Sequence, residues 1–162
     1  MPIVNNNKRS AHNQLGDMAK FFYEEVLLFH ESDDFSSLRN STEHKDYKNF
    51  TKSHAVELVF GCDKVSDKFV WKGHGKDRKL VLTNKFANED ISNKIIICST
   101  QNRKFSSLFG HIRNAFAHNR INRDGDYITM YDSIDKDKTM IGHVSVSDIK
   151  ELISCLKSIK KE

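Results

Sequence analysis

The chain has 162 residues, 38% hydrophobic and 30% charged, a size and balance that allow one ordinary folded domain over residues 1–162 and exclude disorder of the whole chain. Its net charge of +4 tolerates a phosphate-bearing partner without requiring one. Three cysteines, Cys62, Cys98 and Cys155, stand far apart in apolar surroundings, which suggests neither a disulfide framework nor a zinc knuckle and fits a reducing compartment.

The stretch MPIVNNNKRSAHN lacks the continuous apolar run of a signal peptide. The longest apolar stretches, Val26 to Phe29 and Ile95 to Cys98, are too short to span a bilayer, so a cytoplasmic protein with no membrane partner is expected. In NQLGDMAKFFYEEVLLFHE, apolar residues at Leu15, Met18, Phe22, Val26 and Phe29 recur every three or four positions and predict an amphipathic helix from about Lys8 to His30. The polar, serine-rich SDDFSSLRNSTEHKD reads as a loop. Tyr47 to Cys62 reads as a helix through Phe50, His54, Leu58 and Cys62, although its end is strand-like. Val65 to Thr83 places two β-rich runs around a Gly-His-Gly turn and reads as a hairpin, with a bent helical segment as the competing reading.

Between Gln101 and Asn119 the positions Phe105, Leu108, Phe109, Ile112, Ala115 and Phe116 define one core-facing helical stripe. Asp126 to Tyr131 and Thr139 to Val144 alternate apolar and polar residues about a charged turn and predict a hairpin. A last helix follows an N-cap at Ser145 or Ser147, with acids early, lysines late and Ile149, Leu152, Ile153, Leu156 and Ile159 on one stripe. No internal repeat is present.

The stretch HIRNAFAHNRI, His111 to Ile121, places charge and hydrogen-bonding groups beside the apolar stripe. The plain reading is the polar shoulder of a packed helix, with the arginine stem covering the core. The residue types also suit one chemistry. Arg113 offers a planar, permanently charged fork for a phosphate, His118 can give or take a proton near neutral pH, and Asn114 can orient either partner. Five residues apart, Arg113 and His118 lie about 140° around the helix, so one ideal helix does not bring their tips together easily. Two copies packed side by side can, with Gly110, Ala115 and Ala117 allowing close approach. These are the needs of phosphodiester cleavage without a metal.

RNAFAH, Arg113 to His118, resembles the signature of the HEPN (higher eukaryotes and prokaryotes nucleotide-binding) superfamily: arginine, four to six residues, then histidine, with the polar residue after the arginine present as Asn114. The resemblance covers about Phe105 to Lys160, while Glu31 to Thr100 carries no matching signature. It implies an α+β, predominantly helical fold, a HEPN-like bundle with a β-hairpin between the motif helix and the C-terminal helix, and a second hairpin is expected mid-chain. It implies a metal-independent endoribonuclease, a toxin or anti-phage defence effector, working as a homodimer with a composite site and held in check by a cognate antitoxin or defence-system partner. The alternative is a non-catalytic HEPN module that binds RNA, a nucleotide or a protein.

The catalytic candidates are therefore Arg113, Asn114 and His118, with RNA as substrate and products ending in a 2′,3′-cyclic phosphate and a 5′-hydroxyl. His111, seven residues before His118 on nearly the same face, and Arg120 and Arg123 are candidate substrate contacts. A histidine packed on phenylalanines and ordinary solvated charge explain these three equally well. No cofactor is expected. No histidine pair has ligand spacing supported by cysteine or carboxylate, so no metal is assigned. KGHGKDRK, Lys72 to Lys79, lacks the spacing and setting of a phosphate-binding loop and reads as a basic turn. Asp135 to Lys138 reads as a turn tip, Phe21, Phe22 and Phe29 as core or dimer contacts, and Cys98 has no basic partner in sequence to activate it.

Overall fold

Ile95 to Cys98 is apolar at four consecutive positions because both of its faces are covered. The computed structural model describes residues 15–62, 69–83, 91–99 and 101–159, and places this run in the strand Lys94–Ser99. Ile95 and Ile97 enter the main core, while Ile96 and Cys98 enter a second cluster on the other side. A strand buried on both faces loses the period-two pattern by which strands are recognised.

The described elements, in chain order, are α1 (Met18–Phe21), continued by a π-helical segment (Phe22–Leu28), a 3-10 turn (Asp33–Ser37), α2 (Lys45–Ser53), β1 (Glu57–Cys62), β2 (Phe69–Lys72) and β3 (Lys79–Leu82). They continue through β4 (Lys94–Ser99), α3 (Lys104–Ala117), β5 (Ile121–Asp124), β6 (Tyr127–Ile134), β7 (Asp137–Ser145) and α4 (Val146–Ser158). Five strands form one mixed sheet in the order β1-β4-β7-β6-β5. β1 and β4 run parallel, Glu57 opposite Lys94 and Cys62 opposite Ser99, and every other pairing in that sheet is antiparallel. β2 and β3 form a separate antiparallel ribbon.

The expected predominantly helical bundle is therefore corrected: a five-stranded sheet organises the fold, and the helices pack on it. Phe105, Leu108, Phe109, Ile112 and Ala115 of α3 are fully buried against Ile95, Ile97, Ile121, Ile128, Met130 and Met140 of the sheet, together with Met18, Phe22 and Val26 and the apolar stripe of α4. Phe69 and Leu82 of the ribbon cover Ile96 and Cys98 on the opposite face.

The helix expected from Tyr47 to Cys62 is also corrected. It ends at Ser53, His54 caps it in extended conformation, and Glu57 to Cys62 becomes an edge strand paired with β4. Its partner lies more than thirty residues downstream, so local pattern carried no trace of the pairing. Both expected hairpins are present, as β2–β3 and β6–β7. Of the expected N-terminal helix, residues 8–14 lie outside the described residues. The remainder keeps Leu15, Met18, Phe22 and Val26 buried, with wider π-helical turns from Phe22. α4 begins where Ser145 accepts a hydrogen bond from the Asp148 amide at 3.1 Å.

The two charged turns set aside as function meet in space. Lys72 and Lys79 of the ribbon pair with Asp137 and Asp135 at the β6–β7 turn, at 2.6 and 2.9 Å. Lys79 holds the Asp135 carboxyl below its ordinary value.

Candidate functional site

The apolar stripe of α3 fixes the helix against the sheet and thereby aims its polar shoulder at β6. His111 and Asn114, three residues apart and so on adjoining turns, both reach one carboxylate, Asp132. On β6 the side chains alternate, and Ile128, Met130 and Asp132 share the face toward the helices. Asp132 is an acid where the pattern supplies an apolar residue, and it is only 4% exposed.

Four donors satisfy it. Its Oδ2 lies 2.7 Å from His111 Nδ1 and accepts from Asn114 Nδ2 at 3.2 Å, while Oδ1 accepts from Arg120 Nη1 at 3.1 Å and from the Ser133 amide at 2.9 Å. Burial pushes the Asp132 carboxyl up, but the hydrogen bonds from His111 and Asn114, the charge at His111 and the Ser133 amide outweigh it and hold the group below its ordinary value. A β-bulge falls between Asp132 and Ser133 in the β6–β7 pairing, and it turns Thr139 inward, 2% exposed, with its hydroxyl 3.5 Å from His111 Nδ1.

His111 is enclosed by acceptors. Besides Asp132 at Nδ1, its Nε2 lies 3.0 Å from the carbonyl oxygen of Cys98. The carbonyl oxygen can only accept, so Nε2 donates to it, and Nδ1 lies within hydrogen-bond distance of Asp132. The ring thereby ties α3 to both β4 and β6.

Arg113 extends the same network. Its Nη1 donates to Asn114 Oδ1 at 3.1 Å and its Nη2 lies 3.8 Å from Glu31, at the end of the N-terminal helical segment. Arg113 Nε is buried and has no hydrogen-bond partner among the described residues. Beside it, His30 packs on the Phe35 ring at 4.5 Å. Burial, and then the Arg113 charge, lower the His30 pKa against the opposing effect of Glu31. Gly110 leaves its open side toward His30.

His118 is the C-cap of α3 and is exposed. Asn119 takes a left-handed conformation with φ 59°. Its amide donates to the Phe116 carbonyl at 3.2 Å, and the Arg120 amide to the Ala115 carbonyl at 2.7 Å. These are the paired bonds of a Schellman helix stop, with asparagine at the position that usually takes glycine. The stop leaves His118 at the rim and turns the chain toward β5, and just before that strand Arg120 meets Asp132 and the Ser133 carbonyl. No side-chain bond fixes the His118 ring among the described residues.

Of the six residues singled out in sequence, Arg113, Asn114, His111 and Arg120 thus join one network centred on Asp132, and His118 stands one turn beyond Asn114 at its edge. Arg123 lies apart, paired with Asp17 at 2.7 Å and bonded to the Gly125 carbonyl. Asp132, Glu31 and His30 went unnoticed in sequence. The signal for Asp132 was its phase with Ile128 and Met130, hidden because the expected strand ended at Tyr131.

A groove between α2 and α4 is lined by Asp46, Phe50, His54, Glu151 and Cys155, and none of the six residues lines it. The Cys155 thiol there is pushed up to about 11 by burial and the Asp46 charge, and Cys98 to about 12 by burial, so neither is an activated nucleophile. Among the described residues no cluster of three or more histidine, cysteine or acidic side chains is disposed to hold a metal, and no helix is long and apolar enough to cross a membrane.

No family model matches the chain, and no curated protein or solved structure matches it significantly.

Proposed function

We propose that this protein is a metal-independent endoribonuclease acting as a homodimer, with His118 as its proton-transfer group and Arg113 and Asn114 completing a site composed from two copies. The observation that carries the reading is the exposed His118 at the end of α3, next to a network that holds two arginines in relation to one buried carboxylate. The fold is not the bundle implied by the HEPN resemblance, so the proposal rests on Arg113 to His118 and their setting before a hairpin and a final helix.

The chemistry asks little more of the chain. A ribose 2′-oxygen attacks the adjacent phosphorus as His118 takes its proton, and the bond from phosphorus to the 5′-oxygen breaks as the second copy's His118 protonates that oxygen. Arg113 and Arg120 supply charge for the developing phosphorane. Asn114 orients Arg113, and Asp132 in turn orients Asn114 and Arg120. A buried guanidinium donor without a partner costs about 1–3 kcal/mol, a cost relieved where an anion or a second chain meets Arg113 Nε. The biological role that follows is a cytoplasmic toxin or anti-phage effector kept inactive by a cognate partner.

The test is incubation with single-stranded RNA in excess chelator. Wild type is expected to cleave it and leave cyclic phosphate ends, while folded His118→Ala and Arg113→Ala lose activity by about 10² or more. Equal cleavage by folded His118→Ala overturns the assignment. A second reading, a non-catalytic RNA-binding module, draws on the Arg113 contacts to Asn114 and Glu31 and on the His118 ring having no orienting side chain among the described residues. Binding without cleavage by wild type selects it.

A further inference from the structure

Before the bulge, the residues of β6 that do not face the helices are Tyr127, Thr129 and Tyr131. The ribbon covers this outer face over β4 and the adjoining part of β7, where Ile141 packs against it, whereas Tyr127 and Tyr131 are each 40% exposed. Two cations lie over the Tyr131 ring, Arg120 from just before β5 and Lys138 from β7. The Arg120 guanidinium carbon lies 5.6 Å and Lys138 Nζ 5.4 Å from its ring centre. Arg120 is held in place through Nη1, and Lys138 has no carboxylate partner among the described residues. Four residues back, about 13 Å along the strand, the Tyr127 ring stacks on His143 with centres 5.1 Å and planes 6° apart.

Between the two aromatic positions the outward residues are polar, Thr129 on β6 and its register partner Asn122 on β5. Half-buried Ile141 lies opposite Tyr131 at the ribbon margin and exposed Ile134 stands at the β6–β7 turn, while the stretch between the two rings is itself polar. Flat rings beside fixed positive charge match single-stranded nucleic acid, whose bases all offer a π-face and whose phosphates need neutralising. A duplex keeps its bases stacked inside. We propose that single-stranded RNA docks across the outer face of β5 and β6, beside the ribbon, one base stacking on Tyr131 with its phosphates at Arg120 and Lys138, and a second base on the Tyr127–His143 pair. Arg120 follows His118 by two residues, so the strand leads to the exposed histidine. The inference rests on the ribonuclease reading and extends it to how the substrate is held.

The test is fluorescence anisotropy with a labelled 12-nucleotide 2′-O-methyl RNA, which binds but lacks the attacking hydroxyl. Wild type is expected to bind it, Tyr131→Ala to weaken binding about tenfold or more, and Tyr131→Phe to stay within about twofold. Lys138→Ala is expected to reduce the slope of log affinity against log salt by about 0.7. A duplex of the same sequence is expected to compete about tenfold less well. The inference is overturned if wild type does not bind the oligomer, if Tyr131→Ala binds like wild type, or if Tyr131→Ala converts a dimer to monomers in light scattering, which would make the face a contact between copies. Binding that depends on Tyr131 without cleavage of ordinary RNA upholds this inference and overturns the ribonuclease reading. Cleavage by wild type, with Tyr131→Ala binding unimpaired, does the reverse.

Discussion

His111 Nδ1 lies 2.7 Å from the Oδ2 of Asp132, inside a chain whose nearest sequence signal for that pairing is 21 residues of separation. The pair joins α3 to β6, and the second ring nitrogen joins the same helix to β4 through the Cys98 carbonyl. His111→Ala removes a donor from the buried Asp132 and leaves the Cys98 carbonyl without this one. We expect a loss of about 2–4 kcal/mol in urea unfolding. A loss under about 0.5 kcal/mol would show that the contact contributes little to the fold.

Acid should weaken the same joint. The folded Asp132 pKa is lowered, so its contribution is complete above the ordinary carboxylate pKa of about 4 and is lost as pH falls through the folded value. Asp132→Asn removes this dependence. Wild type should exceed the variant in stability at pH 7, and the gap should narrow as pH is lowered from about 5 toward 2. A gap that holds constant or widens over that range contradicts an ionised, stabilising Asp132.

At Asn119 the backbone is left-handed, φ 59°, and the two amides of the helix stop depend on it. Asn119→Gly keeps the left-handed conformation at no steric cost and should lower stability less than Asn119→Val does. Asn119→Val should lower it by about 1–2 kcal/mol, because a branched residue resists the left-handed region. If the structure is intact but His118 is displaced, cleavage should fall in the valine variant more than stability does.

Gly61 faces the ring of Phe69, which closes the second cluster, and a Cβ at that position would overlap the ring. Gly61→Ala should therefore cost about 1–3 kcal/mol, measured by thermal or urea unfolding. Adding Phe69→Leu should recover part of the loss. Full additivity of the two substitutions would mean that the ring and the added methyl do not compete for the same space.

The elements legible in the sequence are those whose environment is one-sided. α3 and α4 present one stripe to the core, and Ser145 stands before α4 as a cap, so spacing and capping revealed them. β6 and β7 alternate about a charged turn for the same reason. β4 was missed because two layers bury it, and β1 because its strand character depends on a distant parallel partner. In the site, Arg113, Asn114 and His118 stood out by residue type, whereas Asp132 did not, since a lone aspartate after a tyrosine resembles any turn-proximal acid.

By itself, then, the sequence determined the helices flanking the motif, the hairpin between them and which polar residues share a shoulder of α3, because helical and strand periodicity are local properties of consecutive residues. Only the tertiary structure decided that a mixed sheet lies beneath them, that Asp132, in phase with Ile128 and Met130 on that sheet, meets His111, Asn114 and Arg120, and that Arg123 turns instead to Asp17. Those outcomes depend on which strands pair and in what register, and a register is set by contacts between residues far apart in the chain.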